Sequence, residues 1–292
     1  MNISLENQVA VVTGGSRGID ANVEKNMKNL LGILAVVCLG LVSFAAPAAL
    51  LGAQQTSPPS SPPPLPSRIS PKAQELLNHA IQALGGPAFL NFKSVSTTGR
   101  VFAFSNGRMA GVEPFQSAYE PPAKRRFKYG KGKPVTLINN GDQAWELDRY
   151  GQTHQLPEQV RQWKIANRFG LDNLLRSLIK EAGVLILDHG VDFVANQPAY
   201  VIDINDAQNV HIRLYLRKSN YLPLRVTYRV QNSITRDWDD YIDDYSNYQR
   251  FDGVMTPMNI SRSLNGDRIG QIYRNKASYN ATLPANYFEP SR

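Results

Sequence analysis

The chain has 292 residues, with 32 Lys and Arg against 24 Asp and Glu, a formal charge of +8 and a single cysteine. One cysteine excludes an internal disulfide framework and a thiolate metal cluster. The positive balance suits an anionic partner or a membrane surface, and solubility alone accounts for it equally well.

The first element is a strand and glycine turn, Val9–Val12 followed by Thr13-Gly14-Gly15-Ser16-Arg17-Gly18-Ile19-Asp20. Over about sixteen residues it resembles the N-terminus of a short-chain dehydrogenase, whose turn amides bind a dinucleotide pyrophosphate at a helix N-terminus. That resemblance implies an NAD(P)-dependent reductase, and two further segments fit it in part. Asn139-Asn140-Gly141 is similar to that family's Asn-Asn-Ala-Gly stretch, and Tyr129 and Lys133 have the spacing of its catalytic pair. Such a pair works on one helix face. Here Gly130, Lys131, Gly132 and Pro134 surround it, which disfavours a helix. Asp20 also stands where the last glycine is needed, and no strand–helix–strand rhythm follows. Residues 1–26 are therefore read as an extension that belongs to no fold.

Met27 opens a second beginning. Lys25 and Lys28 supply positive charge, Leu30–Leu41 is an apolar core, and Ala45, Ala46, Ala48, Ala49 and Ala53 offer cleavage positions. Residues 27–53 thus have the layout of a secretory signal peptide. The alternative is an uncleaved inner-membrane anchor over residues 30–51, since ~20 apolar residues span a bilayer. Cys38 lies inside the apolar core behind Val37 and is read as an ordinary apolar residue. Residues 54–71, rich in Pro and Ser, cannot bury a core and form an extended tether. The folded domain is expected over 72–292, exported to the bacterial periplasm.

That domain opens with a helix predicted over Pro71–Leu84, with Ser70 as N-cap and Gly85-Gly86 as its stop. The period then changes to two. Val210–Arg217 and Leu224–Val230 alternate apolar and polar residues, and weaker alternation marks 95–104, 125–129, 135–138, 144–147, 200–204, 258–264 and 269–273. Asn265-Gly266 predicts a hairpin between the last two. One helical segment interrupts, residues 157–182, with a break expected near Gly170. The fold class read from this is mainly β, an α+β protein with one large curved antiparallel sheet and helices over its concave face.

Several of these segments together resemble LolA-like, outer-membrane lipoprotein-sorting proteins. The residues concerned are Ala83-Leu84-Gly85-Gly86 followed by Val95–Phe104, then Tyr245-Ser246-Asn247-Tyr248 and Phe251-Asp252-Gly253-Val254-Met255-Thr256-Pro257-Met258, and the close Leu283-Pro284 with Tyr287-Phe288-Glu289-Pro290. The resemblance implies an incomplete β-barrel whose apolar cavity accepts acyl chains of a lipid or lipoprotein, with no catalytic residues.

The residues offer little chemistry of other kinds. His79, His154, His189 and His211 lack metal-ligand spacing, and no cofactor or metal site is expected. The acids Asp237, Asp239, Asp240, Asp243 and Asp244 read as a solvated strand edge rather than a calcium loop. Lys124, Arg125, Arg126, Lys128, Lys131 and Lys133 form a basic patch. It suits an anionic headgroup at a membrane surface, or is simply a polar hairpin tip, and export argues against nucleic acid. The cavity is expected to be lined by Phe102, Phe104, Phe127, Tyr129, Leu137, Trp145, Trp163, Phe169, Leu174 and Leu178, any of which could equally be plain core. The function expected is non-catalytic carriage. A tethered envelope domain with a filled core, acting through a protein partner, is the alternative.

Overall fold

The computed structural model describes residues 68–232 and 235–290. The reductase-like turn, the signal peptide or anchor and most of the tether lie outside the described residues. Among the described residues no helix is long and apolar enough to cross a membrane.

Helix α1 (Pro71–Leu84) forms where predicted. Ser70 Oγ accepts from the Ala73 amide at 3.3 Å, and Gly85, at φ +124°, ends the helix. The Gly85 and Gly86 amides return to the carbonyls of Gln82 and Ile81. Ala73, Leu76, Leu77, Ala80 and Leu84 are buried along one stripe. A short helix α2 (Pro87–Asn91) follows.

Fourteen strands make one sheet: β1 (Arg68–Ile69), β2 (Val95–Ser105), β3 (Arg108–Glu120), β4 (Lys124–Tyr129), β5 (Val135–Asn140), β6 (Gln143–Asp148), β7 (Gly151–His154), β8 (Leu185–Val194), β9 (Gln197–Asn205), β10 (His211–Arg217), β11 (Pro223–Gln231), β12 (Trp238–Phe251), β13 (Val254–Leu264) and β14 (Asp267–Tyr279). Their order is β1-β8-β9-β10-β11-β12-β13-β14-β2-β3-β4-β5-β6-β7. Every pair is antiparallel except β1 with β8. The ends do not pair with each other, so the barrel is open. Between β7 and β8 the chain forms α3 (Pro157–Phe169), α4 (Leu171–Arg176) and a 3-10 turn (Leu178–Lys180), broken at Gly170 as expected.

The parity of the strands decides which residues meet the helices. Ile186, Ile202, Ile204, Ile212, Leu214, Leu216 and Val226 pack with α1, Leu174, Leu175 and Leu178 in the main core. The other face is dressed separately. The C-terminal Phe288 covers Ala118, Ile138 and Trp145, and Arg126 donates to the Tyr287 carbonyl at 3.1 Å.

Two of the segments that carried the family resemblance meet in space. Asp252 (φ +48°) and Gly253 (φ +87°) form the two-residue turn between β12 and β13. A Cβ on Gly85 would lie 2.4 Å from the Gly253 carbonyl oxygen, and one on Gly253 would lie 3.2 Å from Ala88 Cβ. The helix stop and the hairpin turn are in backbone contact, and only glycine permits it.

The acidic run departs from expectation. It lies in β12, an interior strand between β11 and β13, not at an edge. Its acids alternate between the two faces, and three of the five, Asp240, Asp243 and Asp244, are matched by a cross-strand arginine in register. Asp244 opposes Arg225 and Asp240 opposes Arg229 on the outer face, while Asp243 opposes Arg262 on the inner one. Opposite-charge pairs of this kind support a sheet from within. Tyr129 ends β4 and Lys133 lies in the loop that follows, so they share no helix. Strands β1, β3, β7, β8 and β12 are additional to those the alternation revealed.

Candidate functional site

A cavity of about 280 Å³ lies between the helices and the sheet, over β12, β13, β14, β2, β3 and β4. For scale, an apolar cavity of ~150 Å³ already admits a benzene ring. Helices α3 and α4 form its roof with Gln162, Trp163, Ala166 and Asn173. Its floor includes Val95, Phe115, Phe127, Ile260 and Ile272.

The ten residues expected to line the cavity fall into four places. Phe127 and Trp163 line it. Tyr129 and Leu137 are on the same face of the sheet, in a cluster with Val101, Phe115 and Val135 beside it. Phe169, Leu174 and Leu178 belong to the main core. Phe102 and Phe104 are on the opposite face, Phe102 edge-on to Tyr273 at 5.4 Å and Phe104 under Arg268 at 5.6 Å. Trp145 is also outside, beneath Phe288. For β2 the physical reason is register: Val95, Thr97, Val101 and Ala103 take the inward positions, which turns the even-numbered phenylalanines out.

Sequence reasoning missed the charges on the cavity wall. Arg125, Arg262, Arg274, Asp172 and Asp243 all line it. Asp243 is buried and accepts two bonds from Arg262, both at 2.6 Å. Burial opposes the Arg262 charge, but Asp243 outweighs it and holds the guanidinium well above the ordinary arginine range. Burial raises the Asp172 carboxyl above its usual range, against the pull of Arg274 and Arg176. The basic patch seen in sequence is therefore two things. Arg125 points into the cavity, while Lys131 and Lys133 occupy the β4–β5 loop. The one signal available was β4's own alternation, which puts Arg125 on the same face as Phe127 and Tyr129.

Unpaired buried polar atoms gather here. Among the described residues Arg125 Nε, Asn173 Oδ1 and Arg274 Nε find no hydrogen-bond partner, and all three residues line the cavity. Buried polar groups are otherwise almost always paired. A second polar group lies on the outer face, where Asp203 joins His189 Nδ1 at 2.7 Å, His211 Nε2 at 3.2 Å and Arg213 Nε at 2.7 Å. It brings together two histidines far apart in sequence, but among the described residues no group of three metal ligands forms.

The roof is held by polar side chains. Arg168 meets Glu181 at 2.8 Å and Asp206 at 3.0 Å; Tyr241 donates to Gln162 at 2.8 Å, and Asn167 to the Pro122 carbonyl at 2.6 Å. Only Gln162, Trp163 and Phe169 of α3 are buried.

No family model matches the sequence, and no curated protein matches it. Solved structures do. A domain described as an outer membrane lipoprotein-sorting protein domain from Vibrio parahaemolyticus is 10% identical and covers 74% of this chain and 97% of its own, with a TM-score of 0.50. A DUF1329 family protein from Desulfovibrio piger is 13% identical, covering 74% and 97%, at 0.48. A LolA superfamily protein from Nitrosomonas europaea is 14% identical, covering 74% and 96%, at 0.44. At such identities the likeness is one of fold. The chain shares the fold of the Vibrio parahaemolyticus domain, an open β-barrel with helices against one face.

Proposed function

We propose that this is an exported envelope protein that shelters the acyl part of a lipid or lipidated protein in its cavity and catalyses no reaction. The observation that supports it is the cavity itself, a space between helices and sheet bordered by Val95, Phe115, Phe127, Ile260 and Ile272. Each methylene moved from water into such a space contributes about 0.8 kcal/mol. The likeness in fold to a domain described as sorting outer membrane lipoproteins agrees with this reading. So does the sequence layout of residues 27–53 as a signal peptide and 54–71 as a tether ahead of the domain. Entry would follow displacement of α3, since its bonds to Glu181, Asp206, Tyr241 and Pro122 can be exchanged for bonds to water.

Native mass spectrometry of the protein purified without detergent tests this. A co-purified mass of lipid size, or uptake of a fluorescent fatty acid, is the expected result. A clean apo mass with no uptake would favour the second reading, a tethered domain acting through a protein partner. The filled core over β8–β11 is the observation on that side.

A further inference from the structure

Among the described residues, one cation on the cavity wall, Arg125, has no anion paired with it. Arg125 reaches inward from β4, its guanidinium carbon 4.1 Å from the Trp163 ring centroid and 5.6 Å from that of Phe127. The rings cover faces of the guanidinium and leave its N–H edges to find acceptors. Arginine has five N–H donors. Among the described residues the acceptor they find is Asn139 Oδ1, at 3.2 Å from Nη2, while Nε is sealed from solvent with none.

The two acids on the wall do not supply the missing charge. Asp243 is engaged twice by Arg262, and Asp172 interacts with Arg274 and Arg176. The charge that does act strongly on Arg125 is that of Arg262, which has the same sign. Burial, with Arg262 adding to it, lowers the Arg125 pKa to about 10, so it stays a cation at neutral pH. A part-buried cation without a counter-ion is costly, and folded proteins normally pair such groups. Beside it the wall carries the rings of Trp163 and Phe127.

We propose that Arg125 anchors the acidic head of the cargo: the cavity takes an amphiphile with one anionic oxygen-bearing head, carboxylate or phosphate, on an acyl chain that runs along Val95, Phe115 and Ile272. This rests on the carrier reading above and narrows it. A lipid anchor whose acyl groups are held only by neutral esters and amides offers Arg125 carbonyl acceptors but no counter-charge. An acidic lipid does, and its anionic oxygen would take the unpaired N–H groups in charge-assisted bonds.

Competition against a bound fluorescent fatty acid, on the full chain, tests both levels. Palmitate should displace it at least about tenfold more effectively than hexadecanol, which has the same chain and no charge. Arg125→Gln keeps an amide donor for Asn139 and should bring palmitate down to the level of hexadecanol, with hexadecanol itself unchanged. Arg125→Lys should fall between. Phosphatidylglycerol vesicles form a separate arm: displacement by them and not by palmitate assigns the head to a phosphate. Should Arg125→Gln not fold, as judged by circular dichroism, the wild-type ratio of acid to alcohol still decides. Equal displacement by palmitate and hexadecanol, with none by phosphatidylglycerol, would overturn the anchor and leave the carrier. Binding of no lipid at all would overturn both.

Discussion

Over β8–β11 the inner face of the sheet carries Ile186, Ile202, Ile204, Ile212, Leu214, Leu216 and Val226, all fully buried. Over β13–β4 the same face carries Arg262, Arg274, Thr97, Ser117 and Arg125, interspersed with Phe115 and Phe127. The first set is short, branched and uniform. Helix α1 and Leu174, Leu175 and Leu178 settle into it as one buried cluster. The second set includes long arginines whose guanidinium groups find partners within the sheet, Arg262 on Asp243, Arg125 on Asn139 and Arg274 on the Pro257 carbonyl, and the roof helices do not pack down into them. One sheet thus has a solid half and a hollow half. What separates them is the chemistry of the inward-facing positions, not a change of topology.

That contrast can be broken most severely at Arg262. Arg262→Gln leaves Asp243 buried without its counter-ion, and removal of one partner from a buried pair costs about 3–5 kcal/mol. Urea denaturation should show a loss of that size, which makes the charges a structural part of the hollow half. A shift under 1 kcal/mol would mean that water already satisfies Asp243. Cavity formation sharpens the comparison. Leu174→Ala, in the solid half, should cost about 3 kcal/mol, within the usual range for a buried leucine. Phe127→Ala, bordering empty space, should cost less, about 1 kcal/mol, because its ring has fewer contacts to lose. Equal costs would show the two halves to be packed alike.

The smallest effect concerns pH. Because burial raises the Asp172 carboxyl, the native protein holds a proton that the unfolded chain releases at the ordinary carboxylate pKa of about 3.9. Stability contributed by that proton is present below the unfolded value and is lost as pH climbs through the raised one. Asp172→Asn should therefore flatten thermal stability across that window and raise the melting temperature at pH 7. A lower melting temperature for the variant would mean that the attraction of Arg274 and Arg176 for the carboxylate outweighs its desolvation.

The alternation of Val210–Arg217 and Leu224–Val230 was readable because both faces of those strands have one chemical character each. Strand β3 was not, since Gly111 and Pro114 interrupt its pattern and several of its side chains border the cavity rather than a packed core. Strand β12 hid for the opposite reason. Its inward positions include Asp239 and Asp243, which a hydrophobic count places outside. The clue lay in spacing: Arg225 and Arg229 are four apart, as are Asp240 and Asp244, and antiparallel pairing brings the two sets together. The hollow was harder still. Phe102, Phe104 and Phe127 are equivalent to a reader of hydrophobicity, and only register decides that Phe127 faces in and the others out.

The glycine contact between Gly85 and Gly253 has a mechanical consequence. It fixes α1 and α2 to the β12–β13 turn, backbone against backbone, and α1 is sunk in the solid core along its whole apolar stripe. Helix α3 has no such footing: three buried residues, and otherwise ion pairs and amide bonds that water can replace. The cavity thus has one wall that is welded and one that is merely latched. On the proposed function, entry is therefore expected at α3, away from the two residues that lack side chains.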